Sequence, residues 1–315
     1  SLPQAPSRLS PYGSQLEALN SRHLTTLKLM HDQGYIQDDE YKQAQDQELE
    51  FKPRIDKIEA PHFVFYIREL LSEKYGETMI EQGGLKVVTT LDYDLQKDAE
   101  KAGADKLEFI QANGGSNAAL VAIDPKNGQI LSMVGSHDFF NDELDGQVNV
   151  AIRPRQPGSS FKPMVYMTAF RKGYTPSTIL YDVVTDFEPS DNNEYIPHNY
   201  DLEERGPVTI RQALQGSLNV PAVKALYLAG PRNVVSLAQE LGYATLTDPD
   251  RYGLSLVLGG AEVKLLEHVE AYGVLANEGI KNPTAGVLYV ETPDGEKLEE
   301  FEEAPAQVLD AEKTR

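Results

Sequence analysis

Apolar residues recur along this chain with two periods, and each period marks a kind of element. Between residues 14 and 34, Leu16, Leu19, His23, Leu24, Leu27 and Met30 fall on one face at helical spacing. Ser14 is placed to cap that helix and Gly34 to end it. A second short helix is expected from Asp38. Residues 62–75 repeat the helical pattern through Phe63, Val64, Ile67, Leu70 and Leu71 and stop at Gly76. Residues 85–91 alternate as a strand does, and the chain turns helical again from Asp92. Two β-rich runs, 119–123 and 129–134, flank Pro125-Lys126-Asn127-Gly128, where Asn-Gly predicts a tight hairpin turn. A second hairpin, 286–291 with 296–301, is expected to turn at Asp294-Gly295. Between the hairpins, helices are expected over 161–171, 210–218, 221–228, 233–241 and 265–277. Strands at both ends with helices between them predict an α+β domain whose sheet is closed by distant segments. Residues 1–13 are Pro- and Ser-rich and irregular, and residues 51–61 read as a linker.

Composition narrows the picture. A chain of 315 residues with 40% hydrophobic content can bury one large core with a smaller piece beside it. A formal net charge of −20 argues against nucleic-acid partners, which require clustered Lys and Arg. The absence of cysteine excludes disulfides, thiolate metal sites and a cysteine nucleophile. His23, His31, His62, His137, His198 and His268 show no metal-ligand spacing, so each reads as core or surface. The Gly-Gly pairs at 83–84 and 259–260 lack the Gly-Lys-Ser/Thr of a phosphate loop, and neither a cofactor nor a metal is expected. The acidic run at 299–303 reads as a solvated edge. Neither a signal peptide nor an 18-residue apolar run is present in the chain as given. It opens at Ser1 and closes on Asp310-Ala311-Glu312-Lys313-Thr314-Arg315, which reads as the start of a helix with Asp310 as its cap. The expectation is a fragment cut at both ends.

Candidate chemistry centres on Gly158-Ser159-Ser160-Phe161-Lys162-Pro163. Ser159 stands at the start of an expected helix, and Lys162 lies one turn on, on the same face. Serine needs a base to take its proton, and a desolvated lysine can be that base. The helix N-terminus favours negative charge developing near Ser159. A lone S-x-x-K is expected by chance in a chain with 16 serines and 17 lysines among 315 residues, so its neighbours must carry the case. A Ser-Lys enzyme also needs a proton path to the leaving amine and a donor for the substrate amide. Two S-x-N triplets offer themselves. Ser190-Asp191-Asn192 lies in a polar, Asx-rich stretch that a surface turn explains fully. Ser217-Leu218-Asn219 sits where two apolar helices meet, and its residues alone leave open a helix cap or a catalytic triplet.

The run 155–163 resembles the nucleophile motif of class A penicillin-binding proteins, the bifunctional peptidoglycan synthases. The runs 195–201, 206–214 and 217–223 are similar to that family's approach to its S-x-N motif, and 258–263 with 271–279 resemble a later helix. Residues 2–11 look like the exit of the family's glycosyltransferase domain, and residues 83–92 look like its inter-domain linker. The resemblance covers essentially the whole chain, in the family's order. It implies a glycosyltransferase remnant over 1–50, a linker over 51–116 and a serine β-lactamase/transpeptidase-like domain, an antiparallel sheet flanked by helices, over 117–315. Ser159 would be the acylated nucleophile, acting between the last two D-alanines of a stem peptide, and Lys162 its base. Ser217 would relay the proton to the departing D-alanine, and Asn219 would hold the peptide amide and orient Lys162. β-Lactams would acylate the same serine. The resemblance also implies the extracytoplasmic face of a bacterial plasma membrane, reached through an anchor that this chain lacks.

One element of the family pattern has no match. Its Lys-Thr/Ser-Gly strand, which holds the substrate carboxylate and brings an oxyanion donor, finds only Lys313-Thr314-Arg315 and Lys126-Asn127-Gly128 here. The first lacks the glycine, and the second is explained as a hairpin turn. Truncation ahead of that motif, and a weakly active or inactive polypeptide, are expected. Two other readings remain beside the transpeptidase: a D,D-carboxypeptidase or β-lactamase-like hydrolase, and a non-catalytic penicillin-recognising scaffold.

Overall fold

A computed structural model describes residues 16–47, 58–187 and 195–314. Ser14, Ser190-Asp191-Asn192, Arg315 and residues 1–13 and 51–57 lie outside the described residues. The chain divides into two compact units, Ser1–Ile58 and Glu59–Arg315.

In the first unit, α1 spans Leu16–Asp32 and α2 spans Asp38–Asp46. Glu40 reaches back to the Gln37 amide at 2.9 Å, closing a capping box at the start of α2. His31 pins the two helices, bonding Asp38 Oδ1 at 2.6 Å and stacking on Tyr41 with ring centres 4.8 Å apart.

The second unit opens with α3 (Pro61–Tyr75), α4 (Glu77–Gln82), β1 (Lys86–Thr89), α5 (Tyr93–Asp105) and α6 (Leu107–Ala112). The hairpin β2 (Leu120–Ile123) and β3 (Ile130–Val134) follows, then α7 (Lys162–Arg171), β4 (Ile179–Asp182) and β5 (Gly206–Thr209). Helices α8 (Ile210–Gln215), α9 (Asn219–Ala229), α10 (Pro231–Leu241) and α11 (Leu265–Ala276) precede β6 (Ile280–Lys281), β7 (Val287–Glu291), β8 (Lys297–Glu300), β9 (Ala306–Gln307) and α12 (Ala311–Thr314). No helix among the described residues is long and apolar enough to cross a membrane.

The α+β expectation, with a sheet closed from afar, holds. Strand β1 pairs antiparallel with β7, Val87 facing Val290, and β7 pairs with β8. The β2–β3 hairpin joins that sheet through a parallel bridge between Gln129 and Ala285. The Thr90 hydroxyl ties the two, donating to the Ile130 carbonyl at 2.6 Å. Lys126-Asn127-Gly128 is the hairpin turn: Asp124 Oδ1 accepts from the Lys126 amide, and Gly128 sits at φ +82. A Cβ there would lie 2.2 Å from the Pro283 carbonyl oxygen, so only glycine fits. Lys313 and Thr314 belong to α12, whose start Asp310 caps by accepting from the Glu312 amide at 2.8 Å.

Two cores stabilise the unit. Ala60, Phe63, Ile67 and Leu71 of the α3 region pack with Ile130, Met133, Ala151, Leu266 and Val290, so residues from 59 onward share a core with the sheet. The larger core gathers Phe161, Met164 and Val165 with Ala222, Val223, Leu226, Val234, Leu237, Leu241, Tyr243 and Ala271. Each fully buried Val, Leu, Met or Phe among them contributes roughly 1.5–3 kcal/mol, which makes α7 and α9 a rigid base for whatever their ends carry. The β4–β5 hairpin was not expected. Ile179 and Tyr181 face out while Leu180 and Asp182 are buried, but four residues give too short an alternation to read. Its partner carries Pro207 and returns only after a long connection, which hides the pairing further.

Candidate active site

Ser159 lies in a single 3-10 turn, Gly158–Phe161, that leads into α7, so the expected helix begins one residue later at Lys162. Pro163 suits this position, because its missing N–H is one the first helical turn leaves unpaired anyway. Ser159 is exposed, whereas Lys162 has no exposed surface. The lysine side chain therefore sits in a dry setting. Burial lowers its pKa from the ordinary 10.5 to about 8.

All three ammonium protons have acceptors. Lys162 Nζ donates to the Ser217 carbonyl at 2.6 Å, to Ser217 Oγ at 3.2 Å and to Asn219 Oδ1 at 2.8 Å. The structure thus brings Lys162, Ser217 and Asn219 into one hydrogen-bonded cluster. It does not bond Ser159 to Lys162: among the described residues the Ser159 hydroxyl makes no hydrogen bond. Ser217 is exposed, so one open hydroxyl borders the buried amine.

The Ser217-Leu218-Asn219 segment joins α8 to α9, and neither Ser217 nor Asn219 caps a helix with its side chain. Ser217 adopts φ +50, a left-handed conformation that costs a non-glycine residue about 1–2 kcal/mol. That turn points its carbonyl at Lys162. The cap of α9 comes from outside: Asn199 Oδ1 accepts from the Asn219 amide at 2.8 Å and the Val220 amide at 3.4 Å. Asn199 Nδ2 in turn donates to both carboxylate oxygens of Asp182, at 2.8 and 3.0 Å, and to the Glu203 carbonyl. Asp182 is completely buried and also accepts from the Arg205 amide at 3.2 Å. Asn219 Nδ2 donates to the His198 carbonyl at 2.9 Å. A buried carboxylate and an asparagine thereby fix the residue that faces the lysine. In the sequence Asn199 stands out only as part of the run 195–201. A signal did exist, since an Asn two residues after Pro197 in a helix-free stretch is a side chain suited to binding backbone.

The turn that carries Ser159 is supported from its other side by residues also missed in the sequence. Gly259, at φ +84, packs so closely that a Cβ would lie 2.3 Å from the Gly158 nitrogen. Arg155 and Val263 exchange backbone hydrogen bonds, N to O, at 2.9 Å in both directions. His268 and Tyr272 of α11 contact Ser160.

The α+β core thus presents a buried lysine bonded to an S-x-N turn, with an exposed serine on the 3-10 turn that leads into α7. The model for the penicillin binding protein transpeptidase domain matches residues 118–287, more than half of the chain, and the chain belongs to that family. Over most of its length it is homologous to the class A penicillin-binding proteins. It is 32% identical to penicillin-binding protein 2D of Bacillus subtilis (strain 168), covering 98% of this chain and 44% of that protein. It is 28% identical to penicillin-binding protein 1A of Aquifex aeolicus (strain VF5), covering 100% of this chain and 53% of that one. The chain thus spans about half the length of these relatives. In fold it is similar to the crystal structure of penicillin-binding protein 1A from Haemophilus influenzae, with a TM-score of 0.78 at 22% identity over 97% of this chain and 59% of that one. PonA1 from Mycobacterium tuberculosis, solved in complex with penicillin V, gives a TM-score of 0.67 at 24% identity over 81% of this chain and 69% of that one.

Proposed function

We propose that this chain carries a peptidoglycan D,D-transpeptidase centre working through an acyl-serine intermediate. Ser159 Oγ attacks the carbonyl carbon between the last two D-alanines of a stem peptide and passes its proton to neutral Lys162 Nζ. Collapse of the tetrahedral species breaks the C–N bond, and the departing D-alanine takes a proton from Lys162 by way of the Ser217 hydroxyl. An amine of a neighbouring stem peptide then attacks the ester carbonyl and gives up a proton. The C–O bond breaks, and Ser159 regains its hydrogen. Asn219 holds the substrate amide and keeps Lys162 aligned. Penicillins enter the same path and remain on Ser159.

The observation that carries this reading is Lys162 itself. A fully buried amine with a pKa near 8 is neutral in about one molecule in ten at pH 7, against fewer than about one in a thousand at the ordinary value. Its contact with Ser217 Oγ supplies the relay. Ser159 and Lys162 stand one turn apart, and catalytic hydrogen bonds are often formed only once substrate is bound. Membrane attachment at the extracytoplasmic face and a glycosyltransferase partner activity belong to the longer parent that the class A relatives suggest.

The test is labelling with a fluorescent penicillin followed by peptide mass mapping. A persistent adduct on Ser159 that vanishes in Ser159→Ala is expected. Label elsewhere, or label that survives the substitution, would refute the acyl-serine assignment. Rapid loss of the adduct to water would instead favour a hydrolase.

A further inference from the structure

We propose that His268 and Tyr243 are positioning residues for the nucleophile: through Ser160 they hold the turn on which Ser159 is carried. The proposal rests on the acyl-serine reading above. Ser160 directly follows Ser159, and its hydroxyl donates to the Pro157 carbonyl at 2.6 Å. That uses the only hydrogen Ser160 Oγ has, so its 2.9 Å contact with His268 Nε2 must be one it accepts. His268 therefore carries its proton on Nε2. In the neutral ring Nδ1 is then an acceptor, and the Tyr243 hydroxyl donates to it at 2.6 Å. The chain of bonds Tyr243–His268–Ser160–Pro157 runs in one direction, and each hydrogen has one place to go.

The grip extends to both ends of the turn. Tyr272 lies four residues after His268 on the same face of α11 and donates to the Ser160 carbonyl at 2.7 Å. The Tyr243 ring packs edge-on against Phe161, the last residue of the turn, with centres 5.7 Å apart. Tyr243 is 1% exposed and His268 9%, both at the margin of an otherwise apolar core. Burial lowers the His268 pKa, which keeps the ring in the neutral form the network requires. A histidine serving only to fill space would not need both ring nitrogens bonded, nor bonds ending on the residue beside the nucleophile. Because the Ser159 hydroxyl has no hydrogen bond among the described residues, its aim is set by the backbone that these groups restrain.

The test measures acylation of the full 315-residue chain by a fluorescent penicillin, separating the non-covalent dissociation constant from the acylation rate constant. His268→Leu removes both ring bonds, His268→Gln keeps one donor and one acceptor, and Ser160→Ala removes the hydroxyl at an exposed position. A displacement of about 1 Å costs on the order of 10²-fold, so the rate constant is expected to fall ten- to hundredfold in His268→Leu and Ser160→Ala. The dissociation constant is expected to stay unchanged, and His268→Gln to recover most of the loss. Nitrogen NMR should find the hydrogen of neutral His268 on Nε2. Wild-type acylation rates in Ser160→Ala and in folded His268→Leu, or a hydrogen on Nδ1, would overturn the clamp while leaving the acyl-serine reading intact. Label that is absent from the wild-type chain, or that persists in Ser159→Ala, would sink that reading and the clamp's purpose with it.

Discussion

Burying Lys162 should leave a measurable pH signature in the stability of the fold. In the unfolded chain this lysine holds its proton up to the ordinary value of 10.5, but in the folded chain only up to about 8. Between those values the unfolded state binds more protons, so stability rises with pH across the window. Below pH 8 both states are protonated and the full cost of the buried charge applies; above 10.5 neither is, and the cost is gone. The shift corresponds to about 3 kcal/mol, of which about 2.5 kcal/mol returns between pH 7 and pH 10. The perturbation is Lys162→Met, which keeps the chain length and deletes the charge. Urea unfolding of both proteins at pH 7 and pH 10 gives a difference of differences, and groups that titrate alike in both cancel. Wild type should gain about 2.5 kcal/mol on the variant as the pH is raised. A gain within about 0.5 kcal/mol of zero would mean that Lys162 titrates as in water, and the case for a base at this position would fail. The same titration should raise the penicillin labelling rate about tenfold between pH 7 and pH 9 as the neutral amine becomes dominant.

Three further outcomes follow from other parts of the structure. Asn199→Leu strips Asp182 of its amide partner and α9 of its external cap, and should cost about 3 kcal/mol in chemical denaturation; a loss below about 1 kcal/mol would show that water replaces it. Gly259→Ala forces a Cβ against the Gly158 nitrogen at φ +84, and should cost about 1–3 kcal/mol and slow acylation. Unchanged labelling in that variant would mean that the turn does not depend on the contact. His62 is buried against Ser136 Oγ at 2.9 Å, and burial lowers its pKa to about 4. Its contribution is present above pH 6.5 and is lost as the pH falls towards 4, by about 3 kcal/mol, so His62→Gln should flatten the acid limb of the urea midpoint.

The long periodic elements were legible in the sequence because their apolar spacing is sustained. The helix read over 62–75 forms over Pro61–Tyr75, that over 265–277 forms over Leu265–Ala276, and Asn127-Gly128 makes its turn. The pairing of β1 with β7 was foreseen only as a principle, since nothing local in Val87 or Val290 names its partner. At the site, the motif residues stood out by type and spacing. Asp182, Asn199, Tyr243 and His268 did not, because their roles depend on contacts made from 17 to 108 residues away in sequence. Ser217 is instructive: its sequence left a cap and a catalytic triplet equally open, and only the left-handed backbone turns its carbonyl towards Lys162.

The union of β1 with β7 also sets an order of events during synthesis. Val87 must wait for Val290, so a ribosome emits about two hundred further residues before the strand finds its mate, roughly 10–40 s at ordinary elongation rates. Through that interval the apolar face of α3 has neither Val290 nor Leu266 to cover it. Until the late strand arrives, that part of the α3 face stays open to water and free to meet other apolar surfaces.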